Sequence, residues 1–156
     1  MADEQKDKHL EALNQELITL IRHGSLDKKH GGLDRSSYTL LQHLSMHDKV
    51  GVKALAEQFG LDTSTISRQT SVLEAKNYVE RVPDPQDGRS SYFQLTMLGA
   101  QTFAEARDIR LERYGQIFED WSPEDCGLFS GLLARLNRTL QQKNSTKRID
   151  GCWRSW

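Results

Sequence analysis

The stretch Val52-Lys53-Ala54-Leu55-Ala56-Glu57-Gln58-Phe59-Gly60-Leu61-Asp62-Thr63-Ser64-Thr65-Ile66-Ser67-Arg68-Gln69-Thr70-Ser71-Val72-Leu73-Glu74 decides the fold. Its first part repeats apolar residues at helical spacing, Val52, Leu55, Ala56 and Phe59, and stops at Gly60, which enters the left-handed region without steric cost. Asp62 then stands as an N-cap for a second helix. The inward positions of that helix, Ile66, Thr70 and Leu73, recur at steps of four and three, and Asn77 is a left-handed terminator. Two helices therefore flank a three-residue turn, with the small Ala56 where they cross. Turning about 100° per residue from Ile66 places Ser64, Arg68, Ser71 and Ala75 on the outward face, with Thr65, Gln69 and Val72 on its flank.

On the C-terminal side, two β-prone runs, Tyr78 to Val82 and Ser91 to Leu95, enclose the turn-forming Pro83-Asp84-Pro85-Gln86-Asp87-Gly88-Arg89, which reads as a hairpin with a polar tip. On the N-terminal side, Asp34 or Ser36 caps a helix carrying Tyr38, Leu40, Leu41 and Leu44. Helix, turn, helix and hairpin in this order outline a winged helix-turn-helix, whose second helix enters a DNA major groove. Hydroxyls at Ser64, Thr65 and Ser67 suit phosphate oxygens, and Arg68, beside Gln69, can address guanine with two hydrogen bonds. At the hairpin tip Arg89 can enter a narrow minor groove, with Asp87 expected to orient its guanidinium.

Further out, Leu10, Leu13, Leu17, Leu20 and Ile21 line one face of a first helix that should end before Gly31-Gly32. Thr96 caps a long helix reaching to about Asp120, and Ser122-Pro123-Glu124-Asp125 starts another with the stripe Leu128, Leu132, Leu133, Leu136 and Leu140. Neither leucine stripe is needed to cover a small central core, so both read as dimerisation surface. The expected fold is mainly α within an α+β class. Residues 1–33 form an N-terminal dimerisation helix, 34–96 the winged helix-turn-helix, 97–143 the C-terminal dimerisation helices and 144–156 a flexible tail, in one compact unit.

Composition agrees with that size. At 156 residues and 17.9 kDa the chain has room for one ordinary domain. No apolar run reaches a membrane span, and Met1-Ala2-Asp3-Glu4-Gln5 lacks the features of a signal peptide. Two cysteines, Cys126 and Cys152, make no disulfide framework, so a reducing cytoplasm is expected. The net charge of -1 gives no generic attraction to DNA. From Lys49 to Arg89 six bases (Lys49, Lys53, Arg68, Lys76, Arg81, Arg89) face six acids (Glu57, Asp62, Glu74, Glu80, Asp84, Asp87), so any DNA binding must rest on placed contacts.

The ordered set Leu55-Ala56, Thr63-Ser64-Thr65-Ile66-Ser67-Arg68, Leu73-Glu74, Tyr78-Val79-Glu80-Arg81, Asp84-Pro85-Gln86-Asp87-Gly88-Arg89, Leu95-Thr96 and Gly99 resembles the MarR-type bacterial winged-helix regulators. The resemblance implies a homodimer interlocked through its terminal helices. It further implies a repressor on a pseudo-palindromic operator, released when a small phenolic or aromatic acid binds. By position, Ser64, Thr65, Ser67, Arg68 and Gln69 match the recognition helix, and Asp87 and Arg89 match the Asp-x-Arg element of the wing. Gly88 departs from the pattern, standing where many members carry another arginine, which implies a wing that grips the duplex less strongly or bends more freely.

Other features carry less. The resemblance places an effector pocket between dimer helices and winged domain, where His23, Tyr38 and His43 offer polar groups. His43 and His47 share a helical face, yet two ligands do not make a metal site, and they read as solvated or capping histidines. Cys126 offers a redox-responsive alternative in which the helix dipole favours its thiolate while Glu124 and Asp125 oppose it. No phosphate loop, nucleophile elbow or zinc-hydrolase motif is present, so neither catalysis nor a cofactor or metal is expected. The rival to a DNA reader is a winged-helix module that holds protein partners.

Overall fold

The computed structural model describes residues 2–23 and 32–149, with side chains described for 5–23 and 32–143. Its elements run α1 (Ala2–His23), α2 (Arg35–Ser45), β1 (Val50–Gly51), α3 (Val52–Phe59), α4 (Thr63–Ala75), β2 (Val79–Pro83), β3 (Ser91–Leu95), α5 (Met97–Ile117) and α6 (Pro123–Ile149). The architecture is mainly helical with one small antiparallel sheet, as the sequence implied. No described helix is long and apolar enough to cross a membrane.

The core lies under α2, α3, α4 and the sheet. Leu40, Leu41 and Leu44 from α2 meet Leu55 and Ala56 from α3, Ile66 and Leu73 from α4, Val79 from β2 and Phe93 from β3. Each of these is buried because its helical or strand period turns it inward. Thr70 is buried too, and its hydroxyl is satisfied within its own helix by donating to the carbonyls of Ile66 and Ser67.

Helix ends follow the expected chemistry. Asp34, rather than Ser36, caps α2, its carboxylate accepting from the Ser37 amide at 2.8 Å. That hydrogen bond, ahead of a second from the Ser36 hydroxyl, holds the Asp34 carboxyl below its ordinary value, while its partial burial opposes them. Gly60 closes α3 at φ 65°, and Asn77 stands at φ 60° just beyond α4. Asp62 occupies the N-cap position of α4, but its side chain makes no capping hydrogen bond.

Four boundaries differ from the sequence reading. The sheet has a third strand, β1, whose Val50 and Gly51 pair with Phe93 and Tyr92, giving the order β1-β3-β2. A two-residue strand has no periodicity to read. The first hairpin strand begins one residue later than expected because Tyr78 closes the α4 terminus, donating to Leu73 and accepting from the Thr96 amide. Helix α5 ends at Ile117, short of Asp120, where Phe118, Trp121 and Phe129 cluster with ring centroids 5.0 to 6.2 Å apart and turn the chain. Helix α6 runs past Gln142 to Ile149. Gly31 and residues 150–156, including Cys152, lie outside the described residues.

The start of α5 fixes the wing to the helices. The Thr96 hydroxyl donates to the Asn77 carbonyl at 2.7 Å and accepts from the Gly99 amide at 2.9 Å. A Cβ at Gly99 would stand 1.8 Å from the Tyr78 carbonyl oxygen, so only glycine allows this approach. At the far corner Ser122 and Asp125 cap α6 reciprocally, by Asp125 N–H to Ser122 Oγ at 3.1 Å and the Ser122 hydroxyl to the Asp125 carboxylate at 2.8 Å.

Candidate nucleic-acid interface

Helix α4 is pinned by its inner face and open on its outer one. With Ile66, Thr70 and Leu73 fully buried, Ser64, Ser67, Arg68 and Ser71 are exposed, while Thr65 and Gln69 are half-buried on the flank. The Ser71 hydroxyl donates back to the Ser67 carbonyl at 2.8 Å, leaving its oxygen free to accept. Arg68 carries no described ion pair, so its guanidinium points outward uncommitted.

The wing tip is organised by its two acids. Asp84 accepts from the Gln86 amide at 2.9 Å and from the Tyr92 hydroxyl at 3.0 Å. The backbone hydrogen bond, ahead of Tyr92 and the nearby Lys49, holds the Asp84 carboxyl below its ordinary value, and the bond to Asp84 raises the Tyr92 hydroxyl. Asp87 accepts from the Arg89 amide at 3.0 Å and the Ser90 hydroxyl at 2.9 Å. The expectation that Asp87 orients the Arg89 guanidinium is therefore corrected. Asp87 shapes the loop backbone, as a short carboxylate two residues before an amide commonly does, and the Arg89 side chain is exposed without a described ion pair.

Of the six acids between Lys49 and Arg89, Glu74 is paired with Arg81 at 3.4 Å, while Glu80 accepts from Gln94 at 2.6 Å and Asp84 and Asp87 accept from neutral groups of the tip, so none of these four holds Arg68 or Arg89 in an ion pair. The bases at the two expected reading points, Arg68 and Arg89, are uncommitted. The Glu74–Arg81 pair was not visible in the sequence, because it joins a helix to a strand whose register only the fold supplies.

The three residues named for an effector stand apart. Tyr38 faces α5: its ring lies 5.3 Å from Phe103 and beneath the Arg110 guanidinium at 4.7 Å, and its hydroxyl is raised chiefly by burial. His43 faces α3, meeting the Phe59 edge at 5.5 Å and stacking on His47 at 4.3 Å. His23, at the end of α1, bonds the Thr19 carbonyl of its own helix at 3.0 Å. No cluster of three or more His, Cys, Asp or Glu suited to a metal occurs among the described residues. Cys126 is half-buried in the first turn of α6. An open cleft of about 420 Å³ between α2, α3 and α4 is lined by Leu40, Phe59, Leu61 and Gln69 among others.

Known proteins share this arrangement. A model of the MarR family matches residues 31–90. The chain is 43% identical over 140 residues to an uncharacterised HTH-type transcriptional regulator, YxaD, of Bacillus subtilis, across 87% of this chain and 98% of that protein. It is 31% identical over 117 residues to the organic hydroperoxide resistance transcriptional regulator of the same bacterium, across 72% and 78%. In three dimensions it matches a mutant MarR of E. coli complexed with operator DNA, with a TM-score of 0.65 at 17% identity, over 78% of this chain and 91% of that one. Motif, fold and relatives agree: the chain belongs to the MarR family of transcriptional regulators and carries that family's winged helix-turn-helix.

Proposed function

We propose that the protein is a homodimeric repressor of a pseudo-palindromic operator, in which α4 enters the major groove and the wing tip reaches the minor groove. One observation carries this reading: the outward face of α4 is small, hydroxylated and topped by an unpaired Arg68 on a helix whose inner face is fully buried. Such a rigid mount gives a bidentate contact its specificity. Ser64, Thr65 and Ser67 take phosphate oxygens, Gln69 stands at the flank, and Arg89, its loop shaped by Asp87, supplies the minor-groove contact. The dimer reading rests on bare leucines. Leu10, Leu13, Leu17 and Leu20 on α1 and Leu128, Leu132 and Leu140 on α6 are all more than two-fifths exposed in the protomer, an apolar area that calls for a partner. A symmetric dimer would set two recognition helices about one turn of DNA apart, roughly 34 Å.

Release by a small aromatic acid is part of the same reading. Tyr38 is half-buried with the Arg110 guanidinium over its ring, which puts a phenol and a cation suited to a carboxylate side by side and favours Tyr38 over His43 and His23 as the effector contact. The test is selection from a random duplex library, followed by affinity for the winning sequence and a scrambled duplex across a salt series. A pseudo-palindromic winner bound at least about a hundredfold more tightly than the control is expected. Equal, feeble binding to both would hand the function to the protein-interaction alternative.

A further inference from the structure

Arg81 stands on β2 with its guanidinium 3.4 Å from the Glu74 carboxylate on α4 and 4.9 Å above the ring of Phe93, its cross-strand neighbour on β3. Phe93 is fully buried, so the arginine lies on a fixed aromatic floor. Its two contacts join the recognition helix to the sheet that bears the wing. An exposed pair of this kind adds little to stability, since both side chains remain about two-fifths exposed. Its effect is geometric, because it ties the C-terminal part of α4 to β2 and, through Phe93, to β3.

We propose that Arg81 is a positioning residue for DNA recognition: through Glu74 and Phe93 it fixes α4 to the wing, while it makes no phosphate contact of its own. This rests on the operator-binding reading above. Because the guanidinium is planar and stacked on Phe93, lysine should replace it only in part.

The test measures operator affinity across a salt series for wild type, Arg81→Met, Arg81→Lys, Glu74→Gln and the double variant, with thermal melts to show each is folded. Arg81→Met should weaken binding roughly fivefold or more, and Arg81→Lys less. Glu74→Gln cuts the same tie and should also weaken binding, and in that background Arg81→Met should cost clearly less than it does alone and leave the salt slope nearly unaltered. Equal losses in both backgrounds, with the slope reduced by about 0.9, would identify Arg81 as a phosphate contact and overturn the proposal. No loss from Arg81→Met alone would overturn it too. A wild type that binds no duplex selectively sinks the operator reading itself, a result distinct from either.

Discussion

Leucines at helical spacing do opposite things in two parts of this molecule. On α2, Leu40, Leu41 and Leu44 are closed over by α3, α4 and β3; on α1 and α6 the same residue type in the same period lies bare. Leu41 is 0% exposed and Leu13 55%. The pattern states that a face is apolar, but what covers it is set by topology. In the reading lobe short connections fold each element onto its neighbour, whereas the long rods leave faces that their own chain does not cover. The lobe is thus closed by its own elements, and the leucine faces of the rods are left open among the described residues.

The largest effect should come from disturbing the lobe's tightest approach. Gly99→Ala forces the Tyr78 backbone away and should cost about 4 kcal/mol or more, read as the shift in a chemical denaturation midpoint. A near-neutral result would mean that the α5 start is not held against Tyr78. Next, Leu41→Ala should cost about 2–5 kcal/mol whatever the protein concentration. Leu17→Glu, on the rod, should instead make stability and mass depend on concentration, with dissociation seen by sedimentation. Were both substitutions to act alike, the rods would be ordinary protomer surface and the proposed dimer would lie elsewhere.

Within the lobe the two reading points should separate. Arg68→Ala is expected to reduce affinity for the selected operator about tenfold to a hundredfold while hardly touching a scrambled duplex, because a bidentate base contact distinguishes sequences. Arg89→Ala should produce a smaller loss that grows with the A·T content flanking the site. Loss of equal size on both duplexes for Arg68→Ala would reassign it to a phosphate.

Much of the lobe was legible because its signals are local. Gly60, Asn77, Thr96 and Ser122 mark helix ends by their own backbone or hydroxyl chemistry, and Ile66, Thr70 and Leu73 mark an inner face by spacing. What escaped needs register or competition between partners. Strand β1 exists only because Phe93 and Tyr92 present a free edge to Val50 and Gly51. Asp87 chose the nearby amide of Arg89 over its guanidinium, and the Glu74–Arg81 pair depends on which strand residue faces the helix. The outward face of α4 followed from Ile66 alone, but that its arginine is unpaired could be learned only by finding where each acid went.

The smallest expected effect is a dependence on pH at the joint between α2 and α3. His43 packs against Phe59 and stacks on His47, and burial first, then the charge of His47, hold its pKa below the ordinary value of 6.5. The folded protein therefore takes up this proton less readily than the unfolded chain. Between the two values the unfolded chain holds more protons, so stability rises with pH; the contribution is complete above about 6.5 and is lost as pH falls through the folded value. Melting temperatures measured from pH 7.5 down to 5.5 should fall more steeply for the wild type than for His43→Gln, which has nothing to protonate there. Parallel curves would show that the stacked pair accepts its charge without strain. The reading lobe would then be closed by its apolar contacts alone, and the cleft beside Phe59 would be indifferent to acid.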